Sequence, residues 1–140
     1  MNTYVATIAQ VSVNKSSGKV KVEHLVCAQD MGEIINPQGA KLQIEGGITM
    51  GLSAALSEEL EFSSGEIRTE NFDSYQITKF SDAPSIDIVL VDNPELPPQG
   101  CGEPAITTVG AALANAVFDA VGARVYILPM TPERILAAMD

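Results

Sequence analysis

The chain has 140 residues, of which 46% are hydrophobic and 5% aromatic, and its formal net charge is −10. Such a length and composition are typical of one folded domain with an aliphatic core. The chain has eight basic and eighteen acidic residues, and the basic ones form no cluster. We therefore expect neither a nucleic acid nor an anionic membrane surface as a partner. No apolar run reaches the roughly 18 residues of a membrane-spanning helix.

The cysteine and histidine content argues against a metal site built by this chain alone. Cys27 and Cys101 lie far apart, only one histidine is present, and no C-x-x-C motif occurs. We therefore expect the chain to provide no metal ligands, whether for zinc or for an iron–sulfur cluster. A disulfide between the two cysteines is possible, but nothing in the sequence supports it. The sequence does not indicate a cellular compartment.

The N-terminal part predicts an antiparallel hairpin. No signal-peptide pattern precedes it, and this abrupt start is what we expect of a chain that begins inside a larger protein. Apolar residues alternate over residues 4–13 and, after the turn-forming NKSSGK, over residues 19–28. The second strand would place on one face Val20, Val22, Val26 and Ala28. His24 is in phase with them, so we interpret it as a core or edge histidine.

The middle of the chain predicts a helix, a second hairpin and a strand. Residues 39–57 have the helical period. Their apolar stripe consists of Ile44, Ile48, Leu52 and Leu56. The same segment contains Gly46, Gly47 and Gly51, each of which costs a helix about 1 kcal/mol relative to Ala. Tight helix packing and a closely approaching ligand both explain them. A turn at 63–65 indicates the second hairpin, and residues 86–92 are predicted to form a strand.

The C-terminal part predicts a long loop followed by two helices. Residues 93–104 contain four prolines and two glycines, and such ordered loops often carry function. A helix over 108–121 would have Thr107 or Thr108 as N-cap and Gly122 as its end. A short strand over 124–128 and a helix capped by Thr131 follow. The predicted fold is one α+β domain (residues 1–140), with four to six mostly antiparallel strands and two or three helices on one face.

The second helix and the residue before it are the unusual features. No charged side chain occurs from Pro104 to Phe118, although a surface helix normally has a polar face. Either this helix is central, or protein outside the chain covers it. Glu103 is biased towards extended backbone by the proline that follows. Such fixed placement suits a catalytic base, but the neighbouring residues alone favour a structural or solvated loop glutamate.

Three motifs occur in order along the chain. They are VCAQDMGEIINPQGAKLQIEGGITMGLSAALSEEL, NFDSYQI and GCGEPAITTVGAALANAVFDAVGARVYILPMTPERI. Together they resemble the C-terminal segment of the molybdenum-binding subunit of the xanthine dehydrogenase/aldehyde oxidase family. The most similar branch is that of the isoquinoline 1-oxidoreductase beta subunit and related bacterial aldehyde dehydrogenases. The resemblance extends over nearly the whole chain.

The resemblance implies a molybdenum hydroxylase, which oxidises an aldehyde or an N-heterocycle with oxygen from water. Its cofactor would be a molybdopterin, in bacterial members often the cytosine dinucleotide. Glu103 lies in the family's Gly-Glu-Pro loop and would be the general base that takes a proton from the attacking oxygen. Gln43 would hydrogen-bond the pterin or its phosphate. Gly46, Gly47 and Gly102 would let the backbone approach the cofactor.

The resemblance also implies partners. Subunits of this family are several times longer, so we expect a C-terminal fragment that binds no cofactor tightly and is inactive alone. Its partners would be the remainder of the molybdenum-binding subunit, an iron–sulfur small subunit and a small-molecule substrate. An exposed apolar surface would favour a homo-oligomer. The alternatives are a non-catalytic stand-alone interaction or scaffold module, or a small-ligand binder that uses the helix N-terminus near Thr107 and Thr108.

Overall fold

A three-stranded sheet carries two long helices on one face. The computed structural model describes residues 3–139. The elements are β1 (Tyr4–Val13), β2 (Val20–Asp30), α1 (Pro37–Leu56), β3 (Phe62–Ser63), β4 (Glu66–Ile67), β5 (Ser85–Val91), α2 (Ile106–Val121) and α3 (Pro132–Ala137). In the larger sheet the order is β1-β2-β5, with β1 antiparallel and β5 parallel to β2. The predicted α+β class and both predicted hairpins are confirmed.

The core lies between the sheet and the two long helices. The predicted stripe of α1 is confirmed, since Ile44, Ile48 and Leu52 are buried and Leu56 lies at the edge of the core. The stripe of α2 is also buried along Val109, Leu113 and Val117. From the sheet the core receives Val22, Leu25 and Cys27. Interlocking of these aliphatic side chains supplies the main stabilisation of the fold.

A β-bulge reverses part of the predicted pattern in β2. The register between β1 and β2 shifts between Gln10 and Val11. One extra residue on β2 turns every later side chain to the opposite face. Val22 therefore points into the core, but Val26 and Ala28 do not, and the inward positions after the bulge are Leu25, Cys27 and Gln29.

His24 is displaced to the outer face of the sheet by the same bulge. Its Nε2 lies 2.9 Å from Asp87 Oδ2 on the neighbouring strand, and its side chain is 34% exposed. The interpretation as a core histidine is therefore wrong. Because β2 is the central strand, His24 does not lie on an edge strand either.

The structure corrects one strand predicted in the C-terminal part. Residues 124–128 form no strand, and Tyr126, Ile127 and Leu128 are exposed. The reason is that the chain here is attached to a helix, since Met130 N donates to Ala55 O at 2.7 Å. This contact leads the segment past the end of α1 and not along a free sheet edge.

The predicted ends of the C-terminal helices are partly confirmed. The N-cap of α2 is Ala105, which offers no side-chain hydrogen bond, so the assignment to Thr107 or Thr108 is wrong. Gly122 ends α2 in the left-handed conformation, as predicted. The Thr131 side chain caps α3 by accepting a hydrogen bond from Arg134 N.

Helix α2 is covered by its own chain on one side only. Near its C-terminal end Asp119 and Ala120 are exposed. Four further exposed positions lie three or four residues apart at Thr107, Ala111, Asn115 and Phe118, which places these four in one stripe. We call these four residues the open face of α2. The alternative that the helix is central is therefore wrong, and cover by protein outside this chain stays a prediction. No helix within residues 3–139 has the length and apolarity required to cross a bilayer.

The glycines of α1 have different surroundings. A Cβ added at Gly51 would lie 2.8 Å from Val109 Cβ, whereas a Cβ added at Gly46 would have no neighbour within 4 Å. Gly51 therefore allows the close packing of α1 on α2. Gly46 gives the described chain no such benefit.

We predict opposite effects of two matched alanine substitutions on folding stability. Gly51→Ala should lower the free energy of unfolding by about 1–3 kcal/mol, because it overpacks the helix contact. Gly46→Ala should raise it by about 0.5–1 kcal/mol, because alanine favours the helix. Urea unfolding of both variants measures the difference, and the same sign for both would contradict the packing described here.

Candidate functional site

The loop between β5 and α2 is tied to the end of β2 by backbone hydrogen bonds. Glu33 N donates to Leu96 O at 3.0 Å, and Gln99 N donates to Met31 O at 2.8 Å. The Thr3 hydroxyl also donates to Gly100 O at 2.7 Å. The proline-rich loop predicted from the sequence therefore has several fixed points just before Glu103.

The turn that follows β2 is shaped to receive this loop. Gly32 has a φ of 74°, and a Cβ there would collide with Pro97 O. Glycine is required on both counts. Asp30 connects the two segments, since its carboxylate accepts from Gly32 N at 3.1 Å and from Asn93 Nδ2 at 2.6 Å.

Glu103 is exposed directly before α2. Its carbonyl oxygen accepts from Ile106 N at 3.2 Å, so the residue forms part of the turn that starts the helix. The carboxylate is exposed, and none of the ion pairs found among residues 3–139 includes it. A negative charge is favoured beside a helix N-terminus. The described chain thus holds the backbone of Glu103 in place and leaves its carboxylate accessible.

The other predicted site residues lie beside this loop. A Cβ on Gly102 would lie 3.9 Å from Gln43 Oε1, and a Cβ on Gly47 would lie 3.5 Å from Ala105 Cβ. The structure therefore brings Gln43 and Gly47 of α1 against the loop of Gly102 and Glu103. Gly46 lies on the exposed side of the same helix. All five predicted residues share one end of the fold.

Two glycines on α1 and on the loop have open surroundings. Cβ atoms built on Gly46 and Gly100 would touch nothing within 4 Å, and neither residue has a positive φ. The described chain therefore requires glycine at neither position. A group that approaches closely from outside would give both a purpose.

The chemistry available here is a proton acceptor, an amide and accessible backbone. Within residues 3–139 no group of three or more His, Cys, Asp or Glu is arranged to hold a metal ion. A cavity of about 670 Å³ lies at the other end of β1, lined by residues such as Ser12, Asn14, Leu52 and Met130. No predicted site residue lines it, so we do not assign it to the reaction.

The predicted small-ligand site at the start of α2 is occupied by contacts of the chain itself. The Thr108 and Thr7 hydroxyl oxygens are 2.7 Å apart, and the Thr107 hydroxyl donates to Pro104 O at 2.7 Å. These hydroxyls fasten the helix start to β1 and to the loop.

One residue beside the loop was missed in the sequence. Gln29 is fully buried on β2, and its Nε2 donates to Cys101 O at 3.5 Å. The predicted strand ended at residue 28, whereas β2 extends to Asp30, and the alternation of apolar residues does not reveal the bulge that turns Gln29 inward. The available signal was weak, because Gln29 directly follows the apolar residues 25–28 and precedes Asp30.

Comparisons with known proteins identify the family. A model described as "Molybdopterin cofactor-binding domain" matches residues 1–84, which is more than half of the chain. The chain belongs to this family. The matched range includes Gln43, Gly46 and Gly47, whereas Gly102 and Glu103 follow it.

Relatives extend the similarity over nearly the whole chain. A nicotinate dehydrogenase subunit of Pseudomonas putida is 36% identical over 97% of this chain and 12% of its own length. The beta subunit of isoquinoline 1-oxidoreductase from Brevundimonas diminuta is 34% identical over 94% of this chain and 17% of its own length. The crystal structure of the aldehyde oxidoreductase from Desulfovibrio desulfuricans has a TM-score of 0.88 and 34% identity. That comparison covers 99% of this chain and 16% of the other.

The family assignment confirms the predicted resemblance to molybdenum-binding subunits of xanthine, aldehyde and isoquinoline oxidoreductases. The chain spans less than a fifth of the length of these relatives.

We predict that the two thiols, which are both free, react at different rates in the folded chain. Cys27 is fully buried, and burial raises the pKa of its thiol, so little thiolate forms. Cys101 is half-buried in the loop. Iodoacetamide should therefore alkylate Cys101 first, as mass spectrometry of the digested protein can show. Faster labelling of Cys27 would contradict the packing of β2.

Proposed function

We propose that this chain is the C-terminal portion of the molybdenum-binding subunit of a molybdenum hydroxylase that oxidises an aldehyde or an N-heterocycle. The observation that carries the proposal is the placement of Glu103. Its carboxylate is exposed on a loop with several backbone anchors, beside Gln43 and an open glycine surface. The family assignment supplies the cofactor for which such a surface is suited.

The residues beside the loop fit a pterin that approaches from outside the chain. Gln43 is exposed and presents an amide that both donates and accepts hydrogen bonds. Gly46 is open on its outer side, and the Gly102 position has only Gln43 beside it, so both leave room for close approach, while Gly47 would keep the helix and loop backbones close to each other. We propose that Gln43, Gly46 and Gly102 contact a molybdopterin in the form of its cytosine dinucleotide, and that the buried Gly47 supports them from within the fold.

When bound, the cofactor would supply the activated water-derived oxygen and accept the electrons of the substrate. Glu103 would accept the proton that this oxygen loses as it attacks the substrate carbon. The loop anchors would hold the carboxylate at one position during the transfer, which lowers the entropic cost of the reaction. Once the rest of the subunit covers the site, water would be excluded from the carboxylate.

The partners follow from the surfaces that stay open. We propose that the remainder of the subunit covers the open face of α2 and completes the cofactor site, so that the isolated chain is inactive and binds no cofactor tightly. An iron–sulfur subunit would carry the electrons away, since the two cysteines described here are too few for a cluster. Without the remainder, exposed apolar residues such as Ile8 and Val89 would favour self-association.

The test of this function is the Glu103→Gln variant of the assembled enzyme. Because glutamine has a similar shape but cannot accept the proton, kcat should fall by about 10²–10⁴-fold. Molybdenum content and KM should stay unchanged. The matched control is Glu95→Gln, which removes another exposed carboxylate from the same loop and should retain full turnover. Full activity of Glu103→Gln would contradict the role of Glu103 as the base, whereas absence of turnover in the assembled wild type would favour the non-catalytic scaffold module.

A further inference from the structure

Gln29 is a polar residue in a position that belongs to the core. On β2 it pairs with Val5 of β1 and with Leu90 of β5. Its side chain is fully buried, with an exposure of 0%. The inward neighbours along the same strand, Leu25 and Cys27, are also fully buried and belong to the hydrophobic core. An apolar side chain is what this position would be expected to hold.

The glutamine lacks part of its hydrogen bonding within the described chain. Its Oε1 is buried and has no partner among residues 3–139. A buried acceptor without a donor destabilises a fold, whereas an apolar residue of the same shape avoids this cost. The stability of the fold therefore does not account for a glutamine here. We look for its role in the Nε2 group of the amide.

The Nε2 group of Gln29 contacts the loop that carries Glu103. Gln29 Nε2 donates to Cys101 O in a long hydrogen bond of 3.5 Å. The acceptor Cys101 precedes Glu103 by two residues. The neighbouring anchor at Gly100 comes from the exposed hydroxyl of Thr3, where water competes. Gln29 is thus a buried side chain that connects the central strand to Cys101, the residue directly before the Gly-Glu-Pro segment.

We propose that Gln29 is a positioning residue that holds the Cys101–Glu103 segment against the end of β2. It acts through the Cys101 carbonyl and does not touch the reacting groups. The importance of this contact for turnover rests on the proposed role of Glu103 as base. The contact itself does not, and it can be measured without cofactor or substrate.

The experiment compares alkylation rates in the folded chain. Gln29→Met removes the donor and keeps the approximate shape, with Gln29→Leu as a second variant should methionine disturb the fold. Loss of the contact should raise the alkylation rate of Cys101 by about twofold to tenfold. The rate at Cys27 should not change, and resistance to urea should be equal or higher because the buried Oε1 is gone.

The matched control is Thr69→Val, since Thr69 is also a buried polar residue and its hydroxyl accepts from Glu61 N at 2.8 Å. This variant should lower resistance to urea without selective acceleration at Cys101. Unchanged Cys101 labelling in both Gln29 variants would overturn the proposal. Equal acceleration at both cysteines with lower resistance to urea would also overturn it, because it would show a purely structural role.

The assembled enzyme separates this proposal from the proposed function. Gln29→Met should lower kcat by about twofold to tenfold with KM and molybdenum content unchanged, and selective Cys101 labelling should rise in parallel. If Glu103→Gln kept full turnover while Gln29→Met still loosened the segment, the role of Glu103 would fail and the contact of Gln29 would stand. An unchanged kcat in Gln29→Met beside an inactive Glu103→Gln would overturn the positioning role.

Discussion

The attachment of the proline-rich loop to the end of β2 is the constraint on which the candidate site depends. Gly32 turns the chain with a positive φ and leaves room for Pro97 O, while Met31 O accepts from Gln99 N. The loop is thereby held beside Gln43 of α1, and α2 begins shortly afterwards at Ile106. Without this attachment Glu103 would lie on a free segment, and a carboxylate that moves freely is a poor catalytic base.

Periodicity predicted the parts of the fold that packing alone decides. The stripe from Ile44 to Leu52 and the hairpin of β1 and β2 follow from the spacing of apolar residues. The bulge in β2 was not predictable, because alternation does not show where a strand takes up one extra residue. The segment 124–128 has a strand-like composition, but a strand requires a partner strand. This segment instead leads to the C-terminal end of α1, where Met130 N donates to Ala55 O.

The candidate site shows the same division. Glu103 was recognised through its motif and its family resemblance, and neither its charge nor its flanking glycines would have been sufficient. The proximity of Gln43 to Gly102 needed the fold, since about sixty positions separate them along the chain and long-range contacts do not follow from local pattern. Gly46 and Gly51 look alike in the sequence, but only Gly51 is explained by packing within the chain.

We propose that this chain supplies one side of a molybdenum site that other protein completes. The most direct test of this proposal is the molybdenum content of the purified chain alone, compared with that of the chain co-expressed with the remainder of the subunit, together with turnover of aldehydes and N-heterocycles. We expect no retained molybdenum and no turnover for the chain alone, and both after assembly. Retention of molybdenum with turnover by the chain alone would contradict the proposal.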